Sequence, residues 1–118
     1  MNVQGFREFC LSLPKAEEGL PFDENTLVFS VHKKMFCLTD IDAFDFINVK
    51  CDPDKAVLLR ERYEGVIPGY HMSKKHWNRI AMDGTIPDKQ ICEWIKDSYN
   101  LVVAKLPRKL RDKLTEIR

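Results

Sequence analysis

The sequence predicts a single α+β domain over residues 1–118, an antiparallel sheet of four to five strands with helices packed against it. Three observations predict this class. Amphipathic helical segments lie near both ends of the chain, and several strand-like runs lie between them. The connections between the first three of these runs are short, and short connections join antiparallel neighbours. The predicted order is α-β-β-β-α-β(β)-α-α.

Residues 2–13 predict the first helix. Apolar residues recur there at spacings of three and four, from Val3 to Leu13. Asn2 is a suitable N-cap, and Pro14 stops the helix. The following residues, 15–24, contain Gly and Pro without any period, and they predict a connecting loop.

Three strands are expected next, over residues 26–32, 35–39 and 44–51, where apolar and β-branched or aromatic residues predominate. Their short connections predict a three-stranded meander. The connection at Lys33 and Lys34 lacks the Gly or Asn that a two-residue hairpin turn prefers, so a longer loop is expected there.

The second half of the chain predicts three helices and one or two strands. Asp52 and Pro53 are typical of a helix start, because an Asp side chain caps free N–H groups and Pro loses no hydrogen bond at the first position. That helix ends before Gly65. Further helices are expected over 87–106 and 108–116, a strand over 76–82, and a shorter strand near 66–70.

The composition favours a globular protein of the cytoplasm. No apolar run reaches the roughly 20 residues that cross a bilayer, and the N-terminus lacks the pattern of a secretory signal. The four cysteines are far apart and lie in apolar surroundings, which is typical of buried reduced thiols. We therefore expect a cytoplasmic location and no membrane partner.

The net charge of +1 argues against a protein that coats nucleic acid non-specifically. The charge is nevertheless uneven along the chain. Residues 1–60 hold 7 Lys and Arg against 10 Asp and Glu, and residues 61–118 hold 12 against 8. The basic excess therefore lies in the second half.

Residues 68–78, with the sequence Pro-Gly-Tyr-His-Met-Ser-Lys-Lys-His-Trp-Asn, are the candidate functional segment. Cationic, polar and aromatic groups at this density are unusual in a segment that only fills a core. Lysines contact phosphates, and exposed aromatic rings stack on bases. The predicted nucleic-acid-binding or anion-binding residues are Lys50, Tyr70, His71, Lys74, Lys75, His76 and Asn78.

Strand alternation divides this segment between two faces. In a strand over 76–82, His76 and Asn78 share one face and Trp77 lies on the other. Either Trp77 enters the core and the other two face outward, or the reverse holds. A purely structural role stays open as well, with the aromatic residues in the core and the lysines solvating a loop.

The same segment does not have the pattern of an enzyme site. His71 and His76 are five residues apart, which is not the spacing of a helical zinc pair. Ser73 lies close to both in sequence, which is weak evidence for a nucleophile and its base. We therefore expect no catalytic activity, no cofactor and no metal. The cations that follow residue 104 are either a solvated helix face or a second phosphate-contacting patch.

Matches spread over residues 10–106 resemble the MmcQ/YjbR-like family. They are Leu13-Pro14, Pro21-Phe22, Lys34-Met35-Phe36, Asn48 to Pro53, Pro68 to Met72, Lys75-His76-Trp77, Ser98-Tyr99 and Leu101-Val102. The resemblance implies an α+β domain similar to the frataxin/CyaY architecture, and DNA binding through a wing-like sheet surface. It implies no catalytic residues. Iron binding is not expected, because the first helix lacks an acidic ridge.

Three functional hypotheses follow. The first is a DNA-binding protein that uses the predicted residues. The second is a pocket in which the same residues bind a small anionic ligand. The third is a protein-interaction module without catalytic activity. A concave site favours the small ligand, and a convex basic ridge favours DNA. A monomer is the default expectation.

Overall fold

Six antiparallel strands form one sheet in a computed structural model that describes residues 1–69 and 72–117, with side chains described up to Leu114. In chain order the elements are α1 Val3–Ser12, β1 Ala16–Gly19, β2 Thr26–Val31, β3 Lys34–Asp40, β4 Phe46–Lys50, α2 Pro53–Arg62, β5 Val66–Pro68, β6 Trp77–Ala81, α3 Asp88–Ala104 and α4 Arg108–Ile117. The strand order in the sheet is β1-β2-β3-β4-β6-β5, and all neighbours are antiparallel. The predicted α+β class is confirmed.

The number of strands is higher than the four to five expected. The additional strand is β1, which lies in the stretch expected to be a loop. It pairs with β2, and Glu18 on this strand forms an ion pair of 2.6 Å with Arg7 of α1. A four-residue polar edge strand has no apolar alternation, so only its pairing partner identifies it.

A two-residue turn joins β2 and β3, and the expected longer loop is wrong. Val31 pairs with Lys34, which leaves His32 and Lys33 as the turn. Their φ angles are 46° and 66°. Both residues therefore adopt the left-handed conformation of a type I′ turn without Gly or Asn.

A β-bulge in β3 places two successive side chains in the core. Phe29 pairs with Cys37 and Ser30 pairs with Met35, so Phe36 has no partner across the strands. The rings of Phe36 and Tyr99 of α3 are 5.3 Å apart and perpendicular. The bulge thus brings β3 into close contact with α3.

The helices begin where the sequence predicts. The Asn2 side chain accepts a hydrogen bond of 2.8 Å from the Gly5 N–H, and the Asp52 side chain accepts one of 3.3 Å from the Lys55 N–H. Helix α3 packs along β3 and β4, with its apolar stripe of Ile91, Trp94, Ile95, Tyr99 and Val102 buried. Within the described residues, none of the helices has both the length and the apolar character of a membrane span.

Candidate anion-binding site

The candidate segment folds into a turn that leads into β6. The Ser73 carbonyl accepts hydrogen bonds from the N–H groups of His76 and Trp77, at 3.1 Å and 2.9 Å. Lys74 and Lys75 are exposed on this turn, and His76 is half-buried. Both lysines are therefore placed where they can contact a large anionic partner.

Tyr70 and His71, two further predicted site residues, lie outside the described residues.

Asn78 does not face solvent, which corrects its expected role as a binding residue. Its side chain is 1% exposed. The Asn78 Oδ1 accepts a hydrogen bond of 2.7 Å from Arg60 Nε, and its Nδ2 donates to the Ala56 carbonyl at 3.4 Å. Both partners belong to α2, so Asn78 joins this helix to the sheet.

Trp77 lies on the opposite face of β6 and is also buried, with 7% of its surface exposed. Neither of the two arrangements expected from strand alternation holds in full, because side chains on both faces of β6 are covered at this point. In the register of the sheet, Trp77 lies opposite Lys50.

Gly69 explains why the segment begins with Pro-Gly. Its N–H donates a hydrogen bond of 2.9 Å to the Trp77 carbonyl. A Cβ at this position would lie 2.8 Å from the Trp77 Cβ, closer than two carbons can approach. The glycine is therefore needed for the backbone of the segment to contact β6.

A cleft of about 440 Å³ opens beside Trp77 at one end of the sheet. It is lined by Lys34, Met35, Lys50, Trp77, Val102 and Lys105, and we call it the lysine cleft. Lys34 begins β3, Lys50 ends β4 and Lys105 follows α3. Three elements distant in sequence thus direct one lysine each to the same concavity.

The electrostatics of the lysine cleft are unfavourable without an anion. Burial lowers the pKa of Lys50 below its usual 10.5, and the Lys105 side chain, within hydrogen-bonding range, and the more distant Lys34 lower it further. Among the residues that the structure describes, none of the three lysines forms an ion pair with a carboxylate. A bound anion would relieve this repulsion.

Ser98 positions the strand end that carries Lys50. Its hydroxyl is buried, donates a hydrogen bond of 2.5 Å to the Phe36 carbonyl, and accepts one of 2.8 Å from the Lys50 N–H. One side chain of α3 therefore holds the β3 and β4 walls of the cleft together.

The cleft lies at a cationic end of the molecule. The lysines at this end are Lys33, Lys34, Lys50, Lys74, Lys75 and Lys105. At the opposite end, exposed aspartates end or follow β3, precede β4 and follow β6: Asp40, Asp42, Asp45 and Asp83. Asp52 is an acidic residue at the cationic end, and it caps α2. The net charge of +1 therefore conceals a concentration of lysines around the cleft.

Of the predicted site residues that the structure describes, only Lys50 lines the cleft. Sequence reasoning missed Lys34 and Lys105 as parts of the same site, although both lie in segments noted for their charge or motif. Arg60 and Ser98 were also missed. Their positions in the sequence could have indicated the site. Lys34 directly precedes one predicted strand and Lys50 lies near the end of the next, and antiparallel pairing places both residues at the same end of the sheet.

A family model and curated relatives match most of this chain. A family model described as YjbR matches residues 11–101. The chain is 36% identical to the "Uncharacterized protein YbdF" of Escherichia coli O157:H7 over 104 residues, which cover 87% of this chain and 85% of that protein. It is 28% identical to the "Uncharacterized protein YjbR" of Escherichia coli K12 over 118 residues, 99% and 100% of the two chains.

Two crystal structures share the fold. A Deinococcus radiodurans protein superposes with a TM-score of 0.90 at 36% identity, covering 97% of this chain and 88% of that one. A Pseudomonas syringae protein superposes with a TM-score of 0.74 at 27% identity, covering 86% and 99%. The overall architecture is therefore shared with two solved structures.

Proposed function

This chain belongs to the YjbR family, and on that premise we propose that it binds a small anionic ligand in the lysine cleft. The observation that carries the proposal is the convergence of Lys34, Lys50 and Lys105 on one concavity, where the described lining residues include no carboxylate. Cations placed so close together raise the energy of the empty site, and an anion lowers it.

The walls of the cleft indicate the chemical class of the ligand. A volume of about 440 Å³ is within the usual range for small-molecule sites. Met35, Val102 and Trp77 supply apolar surface next to the lysines. A compact molecule with a phosphate or carboxylate group and an apolar portion fits this combination.

Thermal unfolding and titration calorimetry with inorganic phosphate, pyrophosphate and citrate test the proposal, with ionic strength held constant by chloride. We expect at least one of these anions to raise Tm above the chloride reference. Lys34→Gln and Lys105→Gln should each weaken binding by about tenfold or more, because hydrogen bonds to charged groups contribute about 1.5–3 kcal/mol.

Lys109→Gln is the matched control, because Lys109 is an exposed lysine of α4 that does not line the cleft. It should bind the anions as the wild type does. Equal binding by all three variants, or no stabilisation beyond that given by chloride, would overturn the proposal.

A second candidate is DNA binding, which the exposed turn at Lys74 and Lys75 favours. These two lysines project at the same end of the sheet as Lys33 and Lys34. A duplex lying across this end would meet cations from several elements, and such contacts depend on salt concentration.

Duplex binding at several salt concentrations separates the two candidates. For DNA binding we expect log affinity to fall linearly with log salt, with the slope reduced by about 1.8 in the Lys74→Ala/Lys75→Ala variant. Lys89→Ala/Lys96→Ala removes two exposed lysines of α3 outside this turn and serves as the control. No duplex binding at low salt, with anion binding intact, leaves the small-ligand function alone.

A cytoplasmic location is part of the same proposal. Cys10, Cys37 and Cys51 are buried as free thiols. Burial raises the pKa of the Cys37 thiol well above its usual value, so this thiol is unreactive and acts as a small apolar side chain. Buried reduced thiols are typical of a reducing compartment.

A further inference from the structure

Lys50 differs from the other lysines of the cationic end in its surroundings. Its side chain is half-buried, whereas Lys34, Lys74, Lys75 and Lys105 are exposed. It also lies between two other cations of the cleft, Lys34 and Lys105. A partly buried amine between cations loses its proton more readily than an exposed one.

Each group around Lys50 favours loss of its proton, carries no charge or is neutralised by another residue. Lys34 on β3 and Lys105 after α3 disfavour its charged form, and burial contributes most. Trp77, opposite it on β6, carries no charge. Asp97 of α3 borders a small cavity next to Lys50, but it forms an ion pair of 2.9 Å with Lys55.

We propose that the Lys50 amine forms a Schiff base in the lysine cleft with an aldehyde or ketone that also carries a phosphate or carboxylate group. The inference rests on the proposed function of the cleft as an anion site. Lys34 and Lys105 hold the anionic group, and this places the carbonyl carbon next to the Lys50 Nζ.

The chemistry balances without any further reactant. The neutral Lys50 Nζ donates its lone pair to the carbonyl carbon, and one of its two protons passes to the carbonyl oxygen, which gives a carbinolamine. The nitrogen then loses its remaining proton as the hydroxyl leaves as water, and a carbon–nitrogen double bond forms. Imine formation thus releases one water molecule and needs no oxidant or reductant.

Pyridoxal 5′-phosphate is a suitable probe, because it combines an aldehyde, a phosphate and an aromatic ring. The intact protein is incubated with the probe near neutral pH, the imine is reduced with borohydride, and the labelled peptide is located by mass spectrometry. We expect label at Lys50 several-fold above that at Lys74 or Lys75, and we expect excess pyrophosphate to suppress it.

Three variants make the result specific. Lys50→Arg keeps the positive charge but cannot form an imine, so the label in the cleft should vanish. Lys105→Gln should reduce label at neutral pH, because an anion contact is lost and Lys50 retains its proton more strongly. Lys109→Ala, on α4 outside the cleft, should leave label at Lys50 unchanged.

The outcomes distinguish this inference from the proposed function. If label is spread evenly over the exposed lysines, the Schiff-base proposal is overturned. The same holds if the total label is unchanged in Lys50→Arg. If inorganic phosphate or pyrophosphate still stabilises the protein in that case, the anion site stands and only the imine fails. If no anion binds and no label appears at Lys50, both proposals fail.

Discussion

The buried hydroxyl of Ser98 accepts a hydrogen bond of 2.8 Å from the backbone N–H of Lys50. A residue in the middle of α3 therefore determines where the last residue of β4 lies. Since the same hydroxyl donates to the Phe36 carbonyl, the bulge in β3 and the end of β4 depend on a single side chain. This contact links the hydrophobic core to the lysine cleft.

Ser98→Ala should lower the free energy of unfolding by about 2–3 kcal/mol, because it leaves the buried Phe36 carbonyl and Lys50 N–H without a partner. It should also weaken anion binding, because the end of β4 is no longer fixed. Urea unfolding and calorimetry measure the two effects. Ser73→Ala, which removes an exposed hydroxyl, is the control, and an equal loss of stability in both variants would contradict the role of Ser98.

Arg60→Met should lower the free energy of unfolding by roughly 2 kcal/mol or more, because a charged donor to buried or partly buried acceptors is lost. Arg60 donates to Asn78 Oδ1 at 2.7 Å, to the Lys74 carbonyl and to the Trp77 carbonyl at 3.3 Å. The turn that carries Lys74 should open more often, so trypsin should cleave the folded protein there faster.

Arg62→Met is the matched control for Arg60, since Arg62 lies on the same helix and is exposed. Its stability and its rate of cleavage at the turn should equal those of the wild type. Unchanged cleavage in Arg60→Met would show that the arginine does not hold the turn.

Gly69→Ala should destabilise the protein by about 1–3 kcal/mol, the usual cost of overpacking. The new Cβ would lie 2.8 Å from the Trp77 Cβ, with backbone atoms of Trp77 also within 3.3 Å. Gly19→Ala is the opposite case, because a Cβ there meets nothing within 4 Å. It should be neutral or stabilising by up to about 1 kcal/mol. Thermal unfolding of both variants checks the contrast.

Lys105→Met should be more stable than the wild type at pH 7, and the difference should shrink as the pH approaches 10.5. The folded-state pKa of Lys50 lies below its usual value of 10.5 because of burial and of Lys105. Below that folded-state pKa, the protonated amine penalises the folded protein, and the penalty disappears as the pH rises through the folded-state and then the unfolded-state pKa.

Unfolding curves at a series of pH values measure this difference directly. Lys109→Met, on α4 outside the cleft, should show no such pH dependence. A Lys105→Met protein that is less stable than the wild type at pH 7 would show that Lys105 does not repel Lys50.

Local patterns in the sequence determined the helices, most of the strands and the α+β class. A cap such as Asn2 or Asp52 acts within one helical turn, and apolar alternation acts within one strand, so both are readable without the rest of the molecule. The motifs between residues 10 and 106 were sufficient to identify the family, which the YjbR match over residues 11–101 confirms.

The tertiary structure decided what local patterns cannot contain. The strand β1 exists because β2 pairs with it, and Asn78 points inward because Arg60 and the Ala56 carbonyl bind it. The lysine cleft needs the register of the sheet and the length of α3 to bring together Lys34, Lys50 and Lys105. Contacts between distant residues depend on how whole elements pack, so the sequence alone determined most of the elements, and their packing determined the site.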